Sequence, residues 1–196
     1  MRNLTINQFI VSLIKSGLDG SVAEVPSDVD WNLVVQISTE HKLMPLVYQG
    51  ISNSQIEVPS EVQAKIDELL LAYFLTDSKQ LKEISKIEKA FESSGIDYMP
   101  VKGILLKPLY PSSDFRPMGD GDILIKMSQK DLALEVMSSI GFSFSKESPH
   151  EFICGKPGVC IELHKCLIPP YNKDYYALAP CACVWNVFRG SLPIPH

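Results

Sequence analysis

Residues 116–125 read Arg-Pro-Met-Gly-Asp-Gly-Asp-Ile-Leu-Ile, and Asp120 and Asp122 stand two positions apart at the mouth of an apolar run. Positions i and i+2 of a strand face the same way, so both carboxylates would project from one face while Ile123 and Ile125 share the other. Two acids on one face repel each other unless something cationic lies between them. A divalent ion such as Mg²⁺ is the usual solution, because hard cations take carboxylate oxygens and keep positions open for phosphate. Gly-Asp-Gly-Asp is also good turn chemistry, so the pair needs support from elsewhere in the chain.

Two further pieces supply it. Lys102-Gly103 follows an apolar run at 98–101 and opens a short helical pattern over 104–110. A glycine there lets backbone approach a phosphate, and a helix N-terminus adds partial positive charge. Lys102 reads equally well as a surface lysine. Glu162 interrupts the strand pattern at 159–163, with Val159, Ile161 and Leu163 on one face and Cys160, Glu162 and His164 on the other. A carboxylate in so apolar a strand needs a partner. If this strand lies beside Asp122, three carboxylates converge and could hold two Mg²⁺ ions for an in-line phosphoryl displacement. Arg116 could contact substrate, or pair with Asp114 or Asp120. His41 and His164 show no nucleophile partner and read as satisfied polar residues.

The elements that must position these groups follow from the hydrophobic pattern. Residues 7–18 carry a helical stripe at Phe9, Ile10, Leu13 and Ile14, with Gly17 and Gly20 as the stop. Residues 28–50 give a second helical region capped by Asp30 and broken before Met44-Pro45. A third helix runs from Ser60 towards Ser93, and its mixed charges, Asp77 and Glu83 among them, read as a solvated face. Beyond residue 95 the pattern changes to short apolar runs. Strands are expected at 98–101, 122–126, 142–145, 151–154 and 159–163, the last two joined by the Lys156-Pro157-Gly158 turn. Ser128 is expected to cap a helix over 128–140 that Gly141 ends. The fold class is therefore α+β. It comprises a helical region over 1–94, a small mixed sheet flanked by helices over 95–170, and an irregular tail over 171–196 in which a truncation is open.

Composition narrows the function classes. A net charge of -5 gives no basic surface for nucleic acid, and 45% hydrophobic with 21% charged residues is ordinary for a globular chain. No window approaches a membrane span, and residues 1–18 are too mixed for a signal peptide, so a cytoplasmic protein is expected. Cys154, Cys160, Cys166, Cys181 and Cys183 read as reduced thiols filling core. No Cys-x-x-Cys pair anchors a tetrahedral set, so structural zinc is not expected.

Taken together, strand–Lys-Gly–helix, then Arg-x-x-x-Asp-x-Asp before a strand, then Ile-Glu-Leu-His, resembles the uncharacterised minimal nucleotidyltransferases of the DNA polymerase beta-like superfamily. The likeness spans roughly residues 30–170 and includes the Trp…His…Pro-Leu pattern within 31–46. It implies transfer of a nucleoside monophosphate from an NTP to a hydroxyl acceptor, which could be a small molecule, a protein or an RNA. By the same resemblance Asp120 and Asp122 ligate Mg²⁺, with Mn²⁺ as the alternative. Glu162 is the third carboxylate, as ligand or base. Lys102 and Gly103 stand where the superfamily has Gly-Ser and touch phosphate, and Arg116 contacts phosphate or braces the aspartates. Gly121 replaces the apolar residue usual between the two aspartates, a weaker strand position without a packing anchor. Two alternatives stay open: a catalytically degenerate nucleotide- or partner-binding protein of toxin–antitoxin type, and a metal-dependent phosphohydrolase using the same acids on water.

Overall fold

The structure is a computed structural model that describes residues 4–169 and 171–176. Cys181, Cys183 and the apolar run at 184–188 lie outside the described residues. The rest is α+β, as the pattern predicts, and forms two compact units. One comprises residues up to 79 together with 105–119; the other comprises 80–104 and residues from 120 onward.

The first unit is helical: α1 (Ile6–Asp19), α2 (Trp31–Glu40), α3 (Met44–Asn53) and the beginning of α4 (Ser60–Ser93). Thr5 and Gln8 cap α1 reciprocally, and Asp30 accepts the Leu33 N–H at 3.1 Å to start α2. Phe9, Leu13, Val34, Met44, Val47 and Ile66 are fully buried in one core. Gly20, in the left-handed conformation, ends α1. Gly17 does not: it lies inside the helix, where a Cβ would overlap the Leu46 carbonyl, just as one at Gly50 would overlap the Leu13 carbonyl. The two glycines let α1 and α3 cross backbone to backbone.

The short helix α5 (Gly103–Leu106) continues into 3₁₀ turns at Lys107–Leu109 and Ser113–Phe115. Asp77, expected on a solvated face, is buried against this segment. Its carboxylate takes the Lys107 ammonium at 2.6 Å and the Met118 N–H at 2.9 Å. The same ammonium donates to the carbonyls of Ser113 at 2.6 Å and Arg116 at 2.8 Å. All three of its protons are thus used, which is what a buried charge requires.

The second unit is a five-stranded mixed sheet in the order β1 (Tyr98–Pro100), β2 (Gly121–Ile125), β5 (Val159–His164), β4 (Glu151–Lys156), β3 (Ser143–Glu147). Among the described residues only β2 and β5 pair in parallel; the other pairs are antiparallel. Ile84, Ile87 and Phe91 of α4 are buried here, as are Ala133 and Met137 of α6 (Lys130–Ser139). Leu132 of the same helix is exposed. Ser128 is not the cap of α6, because a 3₁₀ turn at Met127–Gln129 intervenes. Glu83 is nearly buried too, held by Lys156 at 2.5 Å and by Lys86. Charge alternation along α4 concealed these inward acids because Lys107 and Lys156, which meet them, lie far away in sequence. A four-residue helix, α7 (Lys173–Tyr176), follows the sheet. No helix among the described residues is long and apolar enough to cross a membrane.

Two outcomes test this packing. Gly50→Ala should cost at least the roughly 1–3 kcal/mol typical of overpacking, read as a lower urea midpoint. Lys107→Met leaves Asp77 as a buried unpaired charge and should cost about 3–5 kcal/mol in the same measurement, with Asp77→Asn in the double variant recovering part of it.

Candidate active site

The parallel pairing of β2 with β5 places Asp122 directly across from Glu162, and Leu124 across from His164. Neighbours in register project to the same face of a sheet, and so do i and i+2 on one strand. Asp122, Glu162 and His164 therefore share a face. The β1 edge is extended by one further bond, from the Val101 N–H to the Asp122 carbonyl at 3.0 Å. The next residue, Lys102, turns with φ +48°, a left-handed conformation that costs a side-chain-bearing residue roughly 1–2 kcal/mol. A glycine would adopt it without strain.

That turn brings the Lys102 ammonium 2.6 Å from Asp122 Oδ1, 3.2 Å from His164 Nε2 and 3.9 Å from Glu162 Oε2. His164 Nε2 also lies 2.7 Å from Asp122 Oδ1 and 3.4 Å from Glu162 Oε2. On its other side, Nδ1 faces Glu151 Oε2 at 3.8 Å. Glu151 arrives through the antiparallel β4–β5 register, which sets it opposite His164. One donor atom each from Asp122, Glu162 and His164 lies within 4.8 Å of the others, an arrangement able to hold a metal ion.

Burial works against the charge on Asp122, but the hydrogen bonds and charges of His164 and Lys102 outweigh it and hold this carboxyl below its ordinary value. Glu162 moves the other way: burial, then the charges of Glu151, Asp120 and Asp122, push it up, and Lys102 only partly compensates. On Lys102, burial opposes the positive charge, yet the bond to Asp122 and the charges of Asp122, Glu162 and Asp120 raise its value. The two neighbouring acids are thus shifted in opposite directions, the separation that acid–base roles exploit.

A protein family described as uncharacterised nucleotidyltransferase matches residues 27–187. The chain belongs to this nucleotidyltransferase family. No curated protein matches it. Among solved structures it is similar to the solution structure of the antibiotic-resistance factor ANT(2'')-Ia, at 14% identity and a TM-score of 0.41. That likeness covers 46% of this chain and 48% of the other, so it spans about half of that protein.

In this member of the family Asp122, Glu162 and Lys102 come together. Asp120 precedes the first residue of β2 and is half-buried. It stands outside the group of three metal-competent donors, yet its charge acts on both Lys102 and Glu162. Gly103 is the buried first residue of α5. Arg116 belongs to the other compact unit, and its guanidinium lies 5.8 Å from the centre of the Tyr110 ring. It forms no ion pair among the described residues, and its buried Nε lacks a hydrogen-bond partner. Gly121 proves a well-packed position rather than a weak one. The space its side chain would fill is taken by the tips of Ile161, at 2.8 Å, and Ile84, at 3.0 Å.

Sequence reasoning passed over two residues. His164 was visible in the alternation of Ile-Glu-Leu-His, which puts it on the Glu162 face, but its partner Asp122 lies 42 residues away. Glu151 carried no local signal, since only the hairpin register aligns it. Burial also explains the inert thiols: Cys154 is pushed up to about 11, first by burial and then by Cys160.

Because the folded Glu162 binds its proton more tightly than an unfolded glutamate, its contribution to stability is greatest at acid pH. It is lost as pH rises through the elevated folded value. Glu162→Gln should therefore raise the melting temperature at pH 7, and the gain should shrink towards zero at pH 4 and below.

Proposed function

We propose that this protein transfers a nucleoside monophosphate from an NTP to a hydroxyl acceptor, with pyrophosphate leaving. The observation that supports it best is the in-register pair Asp122 and Glu162 on parallel strands, facing a single cationic point. Family membership supports nucleotidyl transfer as the class of chemistry.

The donor set fits a divalent cation. Two carboxylates and an imidazole converge, and a Lys102 ammonium already takes the position of a positive ion among them. Asp122 and Glu162 would hold Mg²⁺ or Mn²⁺, with Asp120 adding charge from just before the strand. Bound there, such an ion supplies charge neutralisation at the triphosphate and a lowered pKa for the attacking hydroxyl. Glu162, whose carboxyl is shifted towards neutrality, accepts the hydroxyl proton. Lys102 offers its ammonium to phosphate oxygens; its side chain is 57% exposed even while it contacts Asp122. Arg116, whose buried Nε has no hydrogen-bond partner among the described residues, would contact an anion. Most of the rate enhancement would come from positioning and fixed charge.

One observation favours a second reading, a nucleotide-binding protein without turnover. Lys102 neutralises Asp122 directly at 2.6 Å, which a cation-independent binder could use as it stands. Pyrophosphate release with each labelled NTP, across small-molecule, protein and RNA acceptors, separates the two. Asp120→Asn with Asp122→Asn should lower metal-dependent transfer by at least about a hundredfold and weaken NTP binding in Mg²⁺. Unchanged NTP binding in that variant counts against the transferase, as does release of inorganic phosphate in place of pyrophosphate.

A further inference from the structure

We propose that the helical unit holds a binding site for a small organic cation, a substituted ammonium, in a cleft lined by α3, the first half of α4 and the 3₁₀ turn at Ser113–Phe115. Every residue lining the cleft belongs to that one unit, so the inference does not rest on the transferase reading.

Size limits the occupant first. The cleft holds about 210 Å³. That exceeds the roughly 150 Å³ of an engineered apolar cavity that admits benzene, and falls short of the roughly 300–1,000 Å³ typical of drug-sized ligands. Tyr73, Phe74 and Asp77 lie one turn apart on α4, Tyr48 comes from α3, and Asp114 and Phe115 come from the turn. Among the described residues none of the four rings packs against another aromatic or carries a cation. Ring faces are negative, so unoccupied ones attract positive charge.

Charge then decides the chemistry. No lysine, arginine or histidine among the described residues lines the cleft, whereas two carboxylates do. Asp77 is matched by Lys107 at 2.6 Å. Asp114 is exposed and forms no ion pair among the described residues, so its negative charge stands uncompensated. An anionic ligand would be repelled by it, and a neutral one would leave it unused. An ammonium wrapped in methyl or methylene groups satisfies the rings and the carboxylate together.

The walls are also fixed in advance. Lys107 bonds Asp77 and the carbonyls of Ser113 and Arg116, which ties the turn bearing Asp114 and Phe115 to the helix bearing Tyr73 and Phe74. Such preorganisation lowers the ordering cost of binding. Phe74 is left 54% exposed, apolar surface that a ligand would cover.

The test titrates the full chain with choline and with dimethylbutanol, its uncharged twin in which carbon replaces the ammonium nitrogen. Tyrosine fluorescence and saturation-transfer NMR read the binding. Choline should bind, and the twin at least about tenfold more weakly, the scale of a desolvated cation–π contact. Asp114→Asn should weaken choline about threefold and flatten its dependence on salt. Phe115→Leu should weaken choline about fivefold and leave the twin nearly unchanged. Unaltered melting temperatures without ligand show that both variants fold. Equal binding of the two probes overturns the proposal, because the cleft is then merely apolar. So does a chain that binds neither probe, and so does choline binding that both variants leave intact.

Discussion

Repulsion between aligned carboxylates is the constraint around which the second unit is organised. Parallel pairing of β2 and β5 sets Asp122 opposite Glu162, and the β4 hairpin adds Glu151 to the same neighbourhood. Left alone, such a group would protonate or spread apart. It is held by His164 on β5 and by Lys102, whose backbone accepts a strained conformation to deliver its ammonium. Strain and crowded charge in one place are what functional sites accumulate at the expense of stability.

Much of this was legible in the chain, and the parts that were not share a physical reason. Alternation along 159–164 identified the face bearing Glu162, because strand geometry is local. The i, i+2 spacing of Asp120 and Asp122 was equally visible, although β2 begins only at Gly121, so the two acids do not occupy equivalent strand positions. Non-local partners could not be read. Asp77 and Glu83 look solvated in a charge-rich helix, and only the fold shows Lys107 and Lys156 meeting them. Gly17 looked like a helix stop because the pattern of one helix does not reveal the backbone of another pressed against it.

The Lys107–Asp77 pair has a different character from the ions on the sheet. It is buried, fully hydrogen-bonded and adds no net charge, so its contribution is to conformation more than to stability. By gathering the carbonyls of Ser113 and Arg116 and the amide of Met118 around one salt bridge, it fixes the path of an otherwise irregular segment. That segment carries Arg116, whose guanidinium lies 5.8 Å from the centre of the Tyr110 ring.

The sheet's two outer strands have a consequence for the protein's behaviour in concentrated solution. On one side β1 is only three residues long and ends in Pro100, which has no N–H to offer. On the other, β3 is exposed throughout, bears Lys146 and Glu147, and shifts register between Phe144 and Lys146. Short length, proline, charge and a bulge are the devices by which natural sheets discourage edge-to-edge association. A sheet whose interior is occupied by crowded acids is thereby guarded at its margins against recruiting strands from neighbouring molecules. Substitutions that flattened β3, by replacing Lys146 with an apolar residue for instance, would expose the protein to aggregation before they disturbed its chemistry.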